Sequence, residues 1–122
     1  MSTHAYIGIE NEDATVSYIY NHHDGYINGL GNELLTNYNT PEAARTLVDG
    51  GDCRFPGDAY FGRPGEEWEN IKPKIEVNVD DFFDEIGSMY AYLFSASTNS
   101  WVVRRPRSAV CVGLRRALEK NL

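Results

Sequence analysis

The stretch HHDGYINGLG, residues 22–31, concentrates side chains that can do chemistry. His22, His23 and Asp24 offer imidazole and carboxylate groups, which ligate metals and transfer protons. Three glycines follow just ahead of a helical pattern, and in that order backbone N–H groups can surround a phosphate. Alternatively, the glycines only allow a tight turn from strand to helix, with the polar side chains hydrogen-bonded to the backbone of that turn.

A metal site is not expected in this stretch. Adjacent side chains such as His22 and His23 diverge, so the two rings do not easily reach one ion. The chain has one further histidine, His4, and two cysteines, Cys53 and Cys111, which form no ligand-spaced pattern and are expected to be free, buried thiols. The glycine spacing matches neither the dinucleotide fingerprint nor the P-loop. We therefore expect no metal and no cofactor, and the phosphate and turn interpretations both stay open.

Length and composition predict a single domain over residues 1–122. A chain of 122 residues with 42% hydrophobic content is long enough for one core and too short for two ordinary domains. The sequence has no run of roughly eighteen apolar residues, so no membrane segment is predicted. Its N-terminus, MSTHAYIGIENEDA, lacks the basic and apolar regions of a signal peptide. We therefore expect a cytoplasmic protein without membrane contact.

Charge is distributed unevenly along the chain. The formal net charge of −7 argues against binding to DNA or RNA polymers, which are recognised by basic surfaces. Eight of the eighteen acidic residues lie in the segment 66–85. Six of the eleven basic residues lie in the last nineteen positions, namely Arg104, Arg105, Arg107, Arg115, Arg116 and Lys120. The C-terminal tail is therefore locally cationic in an acidic protein.

Alternation of apolar and polar residues predicts about five strands. Residues 4–10 and 15–21 alternate on either side of the turn sequence NEDA, which is typical of a β-hairpin. Residues 89–94 and 101–104, joined by SASTNS, predict a second hairpin. A further strand is predicted at 74–79. Strands joined by hairpins favour an antiparallel sheet, so the expected class is α+β with two or three short helices packed on that sheet.

Helical spacing and capping residues predict the helices. One helix is expected from near Asn28 to Tyr38, and a second over 41–49, where Thr40 is the N-cap and Pro41 occupies the first helical position. Two other helical segments carry weaker signals. Asp80 is the expected cap of a helical turn over 80–86, and Ser108 that of a C-terminal helix with Val110, Leu114 and Leu118 on one face. Residues 51–73 are predicted to form a long irregular loop.

Arginines and aromatic residues near the C-terminus could bind a nucleotide. Arg104, Arg105 and Arg107 surround a proline, and guanidinium groups bind phosphates in fork geometry. Trp101 and Tyr90 lie nearby in sequence and offer flat faces to a base. The arginines could equally form a solvated edge or meet an acidic partner.

Two phenylalanines and the histidine stretch add further candidates. Only one of the adjacent Phe82 and Phe83 can comfortably face a core, which leaves the other to line a groove or an interface, although packing explains either ring equally well. His23 and Asp24 are the candidate ligand-binding residues of the histidine stretch. The chain also has fifteen aromatic residues, which favours an interface between at least two subunits.

The N-terminal sequence resembles a known group of small phage and prophage proteins. The likeness covers about the first 53 residues, with a hairpin, the segment HHDGYINGLGNELL, the turn TNYNT and a short helix ending at DGGD. This group includes the Thoeris anti-defence sponge proteins of the first type, and the chain resembles them. Many members carry Trp where this chain has His23. The sequence beyond Trp101 does not resemble the group.

This resemblance implies a function without catalysis. Members of the group sequester cyclic ADP-ribose-type signals, so that the immune effector of the host is not activated. They form oligomers built from dimers. By its position in the chain more than by a matched motif, the resemblance also implies that Phe82 contacts the ligand. Two other functions stay open from the residues themselves. One is a small phosphodiesterase using His22, His23 and Asp24, and the other is an inhibitor that presents its acidic segment 66–85 to a protein partner.

Overall fold

The computed structural model describes residues 3–86 and 89–120. Its strands are β1 (Ala5–Glu10), β2 (Val16–Asn21), β3 (Cys53–Phe55), β4 (Asp58–Ala59), β5 (Lys74–Glu76), β6 (Tyr90–Ser95), β7 (Ser100–Arg104) and β8 (Cys111–Gly113). Its helices are α1 (Asn32–Asn37), α2 (Pro41–Asp49), α3 (Trp68–Ile71), α4 (Val79–Ile86) and α5 (Leu114–Lys120), and a π-helical turn, Ile27–Gly31, leads into α1.

The α+β class is confirmed, but the sheet is larger than expected and is not purely antiparallel. Within the described residues it has eight strands, in the order β4-β3-β2-β1-β6-β7-β8, with β5 also paired to β2. The central strand β1 runs antiparallel to β2 and parallel to β6, with Ala5 opposite both Asn21 and Tyr90. A second parallel pairing joins β2 to β3. The sheet is therefore mixed.

The elements with strong local signals form where the sequence places them. The hairpins β1–β2 and β6–β7 are both present and antiparallel. Helix α2 spans Pro41–Asp49, and the Thr40 side chain accepts a hydrogen bond of 3.1 Å from the amide of Ala43. That bond satisfies one of the free N–H groups at the start of the helix. The predicted helix over residues 28–38 is also present, although its first turn is π-helical.

Several predicted boundaries are wrong. The segment 51–73 is not one irregular loop, because it contains β3, β4 and α3. Strand β5 ends at Glu76, since Asn78 already caps the next helix by accepting a hydrogen bond of 2.8 Å from the amide of Asp81. Asp80 therefore lies inside α4 and is not its cap. A capping residue ahead of the expected one lengthens the helix at the expense of the strand.

The C-terminal segment also differs from its prediction. Ser108 does not start a helix, because its hydroxyl accepts a hydrogen bond from the nearby amide of Val110 and the chain then enters β8. Helix α5 begins only at Leu114. Val110 is exposed, while Leu114 is buried, so the two residues do not share one apolar helical face. Pairing of β8 with β7 outweighs the local helical pattern.

Two hydrophobic clusters lie on opposite faces of the sheet. Alternation along β1 sends Ile7 to one face and Tyr6 to the other. The larger cluster packs the sheet against the π-helical turn, α1, α2 and α5. The smaller cluster packs it against α4 and includes Phe82, Phe83 and Ile86. We refer to these as the helical face and the α4 face.

The two cysteines are free thiols in different environments. Cys53 is buried as expected, whereas Cys111 is exposed, contrary to the prediction that both are buried. Burial, with a smaller contribution from the charge of Asp52, raises the pKa of the Cys53 thiol to about 12. Cys53 therefore remains protonated at neutral pH. None of the helices in the described ranges has the length and apolar character needed to cross a membrane.

Candidate functional site

The glycine stretch after β2 forms a turn whose backbone is already hydrogen-bonded. The amide of Gly25 donates to Thr3 O at 2.8 Å, and the amide of Leu30 donates to Asp24 O at 2.8 Å. The Tyr92 hydroxyl donates to Gly25 O at 2.6 Å and fixes the turn on the sheet. Since these amides already have carbonyl partners, the geometry favours the turn interpretation over a phosphate-binding loop.

The histidines beside this turn pack on one another. The rings of His22 and His23 meet edge to face at 4.5 Å, and His4 Nδ1 lies 2.8 Å from His22 O. The amide of His23 donates to Arg54 O at 2.8 Å. Desolvation, followed by the charges of His23 and His4, lowers the pKa of His22. Across residues 3–86 and 89–120, no three His, Cys, Asp or Glu side chains come together as metal ligands.

The sheet separates the predicted ligand-binding residues. Trp101 and Tyr90 pack on the helical face, whereas Arg104 and Phe82 pack on the α4 face. Strand alternation explains part of this separation, because positions 101 and 104 of β7 point to opposite faces. His23 and Asp24 follow β2, which ends at Asn21. The predicted residues therefore do not form one site within a single chain.

Arg104 attaches α4 to the sheet. The residue is only 8% exposed, its Nη2 donates a hydrogen bond to Phe83 O, and its guanidinium lies 5.1 Å from the centre of the Phe83 ring. A cation near the last turn of a helix also interacts favourably with the helix dipole. Arg105 is half-buried and Arg107 is exposed in the turn after β7. The three arginines therefore do not converge on one phosphate.

Phe82 is a core residue in this structure. Its ring is fully buried and packs 5.5 Å from the ring of Tyr18 and 5.2 Å from that of Phe83. Phe83 is also buried. The expectation that one of the two rings would line an open groove is therefore wrong.

Three other cations do converge, on the helical face. A cleft of about 500 Å³ lies between α5, the end of α1 and β7. We call it the basic cleft, and its main lining residues are Asn39, Ser100, Trp101, Arg115, Arg116 and Lys120. Leu35 and the buried Leu114 complete an apolar floor. The Trp101 indole donates a hydrogen bond of 2.9 Å to Tyr38 O, which fixes the ring in this floor.

The basic cleft has an excess of positive charge. Arg116 and Lys120 stand four residues apart on α5 and so share a face of the helix, with Arg115 beside them. Glu119 is the one carboxylate in the lining. Among the described residues, ion pairs form at Arg54, Arg63 and Lys72, and none involves the cations of the cleft. Within residues 3–86 and 89–120, no ion pair therefore occupies Arg115, Arg116 or Lys120.

The sequence contained part of this signal. The cationic tail and Trp101 are evident in the sequence, but the sequence does not show that Arg115, Arg116 and Lys120 line one cleft with Trp101. The i, i+4 spacing on α5 could have indicated that Arg116 and Lys120 act together. Comparison of the chain with protein-family models, with curated protein sequences and with solved structures gives no match. The location of the candidate site therefore rests on the geometry of the chain's own residues.

Proposed function

We propose that the protein binds and sequesters a cyclic ADP-ribose-type nucleotide without catalysis, with the basic cleft as the site for its pyrophosphate. The observation that carries this proposal is the convergence of Arg115, Arg116 and Lys120 above an apolar floor in a chain of net charge −7. Guanidinium groups bind phosphate oxygens through two parallel hydrogen bonds. The cleft volume of about 500 Å³ also lies in the range of small-molecule sites.

The lining residues supply the other contacts that such a ligand needs. The half-buried Leu35, above the buried ring of Trp101, offers apolar surface to the base, and Asn39 and Ser100 offer polar groups to the ribose hydroxyls. The residues that line the basic cleft include no histidine and no cysteine. Its cations, polar donors and apolar floor supply the contacts that binding of a nucleotide requires.

The biological role in this proposal follows from the resemblance of the first 53 residues. A phage-encoded protein in the cytoplasm of an infected bacterium would remove the signal before the immune effector of the host receives it. Tight binding is sufficient for this role, because the bound fraction of a ligand depends only on affinity and concentration.

Calorimetric titration of the purified protein with a cyclic ADP-ribose isomer tests this function. We expect Arg115→Ala and Arg116→Ala each to weaken binding about 10- to 100-fold, since each loses a charge-assisted hydrogen bond. Lysine at either position is expected to recover only part of the affinity, because it keeps the charge but not the planar fork. Arg107→Ala is the matched control, because Arg107 is exposed and lies outside the cleft.

The chemical identity of the ligand released from the protein distinguishes sequestration from catalysis. After heat denaturation of the complex, chromatography is expected to recover the intact nucleotide. A hydrolysed product would contradict the proposal and favour a phosphodiesterase. Equal affinity of the wild type and the two α5 variants, or a loss of binding only in Arg107→Ala, would rule out the basic cleft as the site.

The proposal also includes the oligomeric state, in which the protein forms an oligomer built from dimers. Ile75 and Val77 are each 67% exposed and lie on or next to β5, whose pairing among the described residues is with β2 alone. Apolar side chains beside an open strand edge are typical of a subunit interface. Light scattering is expected to give at least twice the chain mass of 13.8 kDa, and Ile75→Asp is expected to reduce that mass. A wild-type mass of a single chain would contradict this prediction.

A further inference from the structure

A second cleft lies on the α4 face, on the opposite side of the sheet from the basic cleft. It has a volume of about 390 Å³ and is formed between the β1–β2 hairpin, the end of α4 and the segments before β3 and within β5. We call it the tyrosine cleft, and its main lining residues are Tyr6, Tyr18, Tyr20, Asp52, Lys74 and Glu85. The function proposed above does not use this cleft.

Strand register places the three tyrosines together. Tyr6 is directly opposite Tyr20 in the β1–β2 pair, and Tyr18 is its diagonal neighbour on the same face. The Tyr6 ring lies 5.4 Å from that of Tyr20 and 5.7 Å from that of Tyr18, at interplanar angles of 62° and 65°. Neither pair stacks face to face. Rings inclined in this way form walls of different orientation around one space, as in the aromatic cages that bind organic cations.

The charge in the wall of the tyrosine cleft is negative overall. Asp52 and Glu85 oppose the single ammonium group of Lys74. Desolvation, followed by the charges of Asp52 and Glu85, raises the pKa of Tyr6, and the phenol therefore stays neutral at physiological pH. Glu76 acts in the same direction on Tyr18, after desolvation. The electric field of the cleft therefore favours a cation over an anion.

A backbone hydrogen bond fixes the carboxylate of Asp52 in the lining of the tyrosine cleft. The residue is 9% exposed, and its Oδ1 accepts a hydrogen bond of 2.8 Å from the amide of Tyr20. Desolvation raises the pKa of Asp52, and the hydrogen bond from Tyr20 and the charge of Lys74 oppose that rise. A buried carboxylate with a fixed orientation gives a cationic ligand a defined partner.

We propose that the tyrosine cleft binds a small organic cation that carries an alkylated ammonium group. Tyr6 and Tyr20 supply the more accessible aromatic faces that attract such a group, the largely buried Tyr18 completes the wall, and Asp52 and Glu85 supply the opposite charge. An inorganic cation fits less well, because Mg²⁺ and Ca²⁺ prefer a shell of oxygen ligands and bind poorly against aromatic walls. The two clefts lie on opposite faces and share no lining residue, so this site is distinct from the proposed nucleotide site.

Choline and its neutral carbon isostere, dimethylbutanol, test the charge requirement. In calorimetric titrations of the full chain we expect choline to bind and the isostere to bind at least roughly 10-fold more weakly, because it has the same shape without the charge. Equal binding of both compounds would overturn the proposal, and so would the absence of saturable choline binding at millimolar concentration. Adenosine monophosphate is the anionic probe, and its binding in this cleft in place of choline would overturn the proposal as well.

Charge substitutions in the wall of the tyrosine cleft test whether the cleft prefers a positively charged ligand. Lys74→Gln is expected to strengthen choline binding roughly 3- to 5-fold, because it removes a like charge, and Glu85→Gln is expected to weaken binding by a similar factor. Both side chains are exposed, so neither variant disturbs the core. Arg107→Gln is the matched control, since it removes a positive charge outside the cleft. Weaker choline binding in Lys74→Gln would contradict a cation site.

Substitutions of Tyr6 test the contribution of its aromatic ring to choline binding. Tyr6→Leu is expected to weaken choline binding roughly 10-fold, whereas Tyr6→Phe keeps the aromatic face and most of the affinity. A melting curve beside each titration separates loss of binding from loss of folding. If Tyr6→Leu does not fold, the comparison of Lys74→Gln with Glu85→Gln still decides the proposal. Equal choline affinity in correctly folded Tyr6→Leu and wild type would refute the aromatic contribution.

Discussion

Replacing Phe82 with alanine is expected to lower the free energy of unfolding by about 3–5 kcal/mol. The ring is fully buried between the sheet and α4, and it packs against Tyr18 and Phe83. It also lies so close to Gly8 that a Cβ atom at that position would stand 3.0 Å from Phe82 Cζ. Removing the ring therefore leaves a cavity that its neighbours fill only partly. Urea denaturation followed by circular dichroism measures the loss.

Phe61→Ala is the matched control for this prediction. Phe61 is 64% exposed, so its removal is expected to change stability by no more than about 0.5 kcal/mol. The pair also tests the resemblance, which implies that Phe82 contacts the ligand. If Phe82→Ala were as stable as the wild type but selectively lost nucleotide binding, the ring would be a ligand contact and not a core residue.

Gly51→Ala is expected to lower the free energy of unfolding by about 2–5 kcal/mol, in two parts. Gly51 has φ of 83°, and an L-residue there costs about 1–2 kcal/mol. An added Cβ would also lie 2.6 Å from Ile71 O and 3.0 Å from the Trp68 ring. Ile71 O is fixed, because it accepts a hydrogen bond of 2.7 Å from the amide of Asp52. Overpacking of this kind costs about 1–3 kcal/mol more.

Gly62→Ala separates the two parts of this cost. Gly62 has a similar φ of 88°, but nothing lies within 4 Å of the Cβ it would gain. We expect Gly62→Ala to show only the backbone cost of about 1–2 kcal/mol. The difference between the two variants in thermal denaturation then measures the clash at Ile71. Equal losses of stability in both variants would mean that the Ile71 carbonyl moves away from the added Cβ atom, despite its hydrogen bond from the amide of Asp52.

Local interactions explain which parts of the fold could be predicted from the sequence. The β1–β2 hairpin needs only alternation and the turn sequence between its strands, and α2 needs only Thr40 and Pro41 at its start. The parallel pairing of β1 with β6 has no comparable local signal, because its partners stand far apart in the chain. The short strands β3 and β8 exist only through their pairing to neighbours, so their residues look like loop or helix in isolation.

The sites were harder to predict than the fold. Adjacency in sequence favoured Arg104, Arg105 and Arg107 as one cluster, but the guanidinium of Arg104 lies under α4. The basic cleft depends on α5 returning beside Trp101, which only tertiary structure shows. The tyrosine cleft likewise depends on the register of β1 and β2 and on the approach of α4. Its tyrosines alternate along the predicted strands, but nothing in the sequence indicates that Asp52 and Glu85 lie beside them.

The parallel pairing of β1 with β6 also affects how the chain folds during its synthesis. Ala5 pairs with Tyr90, so β1 is synthesised long before its partner strand β6. At translation rates of about 5–20 residues per second, this interval lasts roughly 4–17 s. During that time Ile7 and Ile9 of the nascent hairpin have no finished core to enter, and one strand edge of β1 is open. We expect the newly made N-terminal segment to depend on chaperones until the second hairpin has been translated.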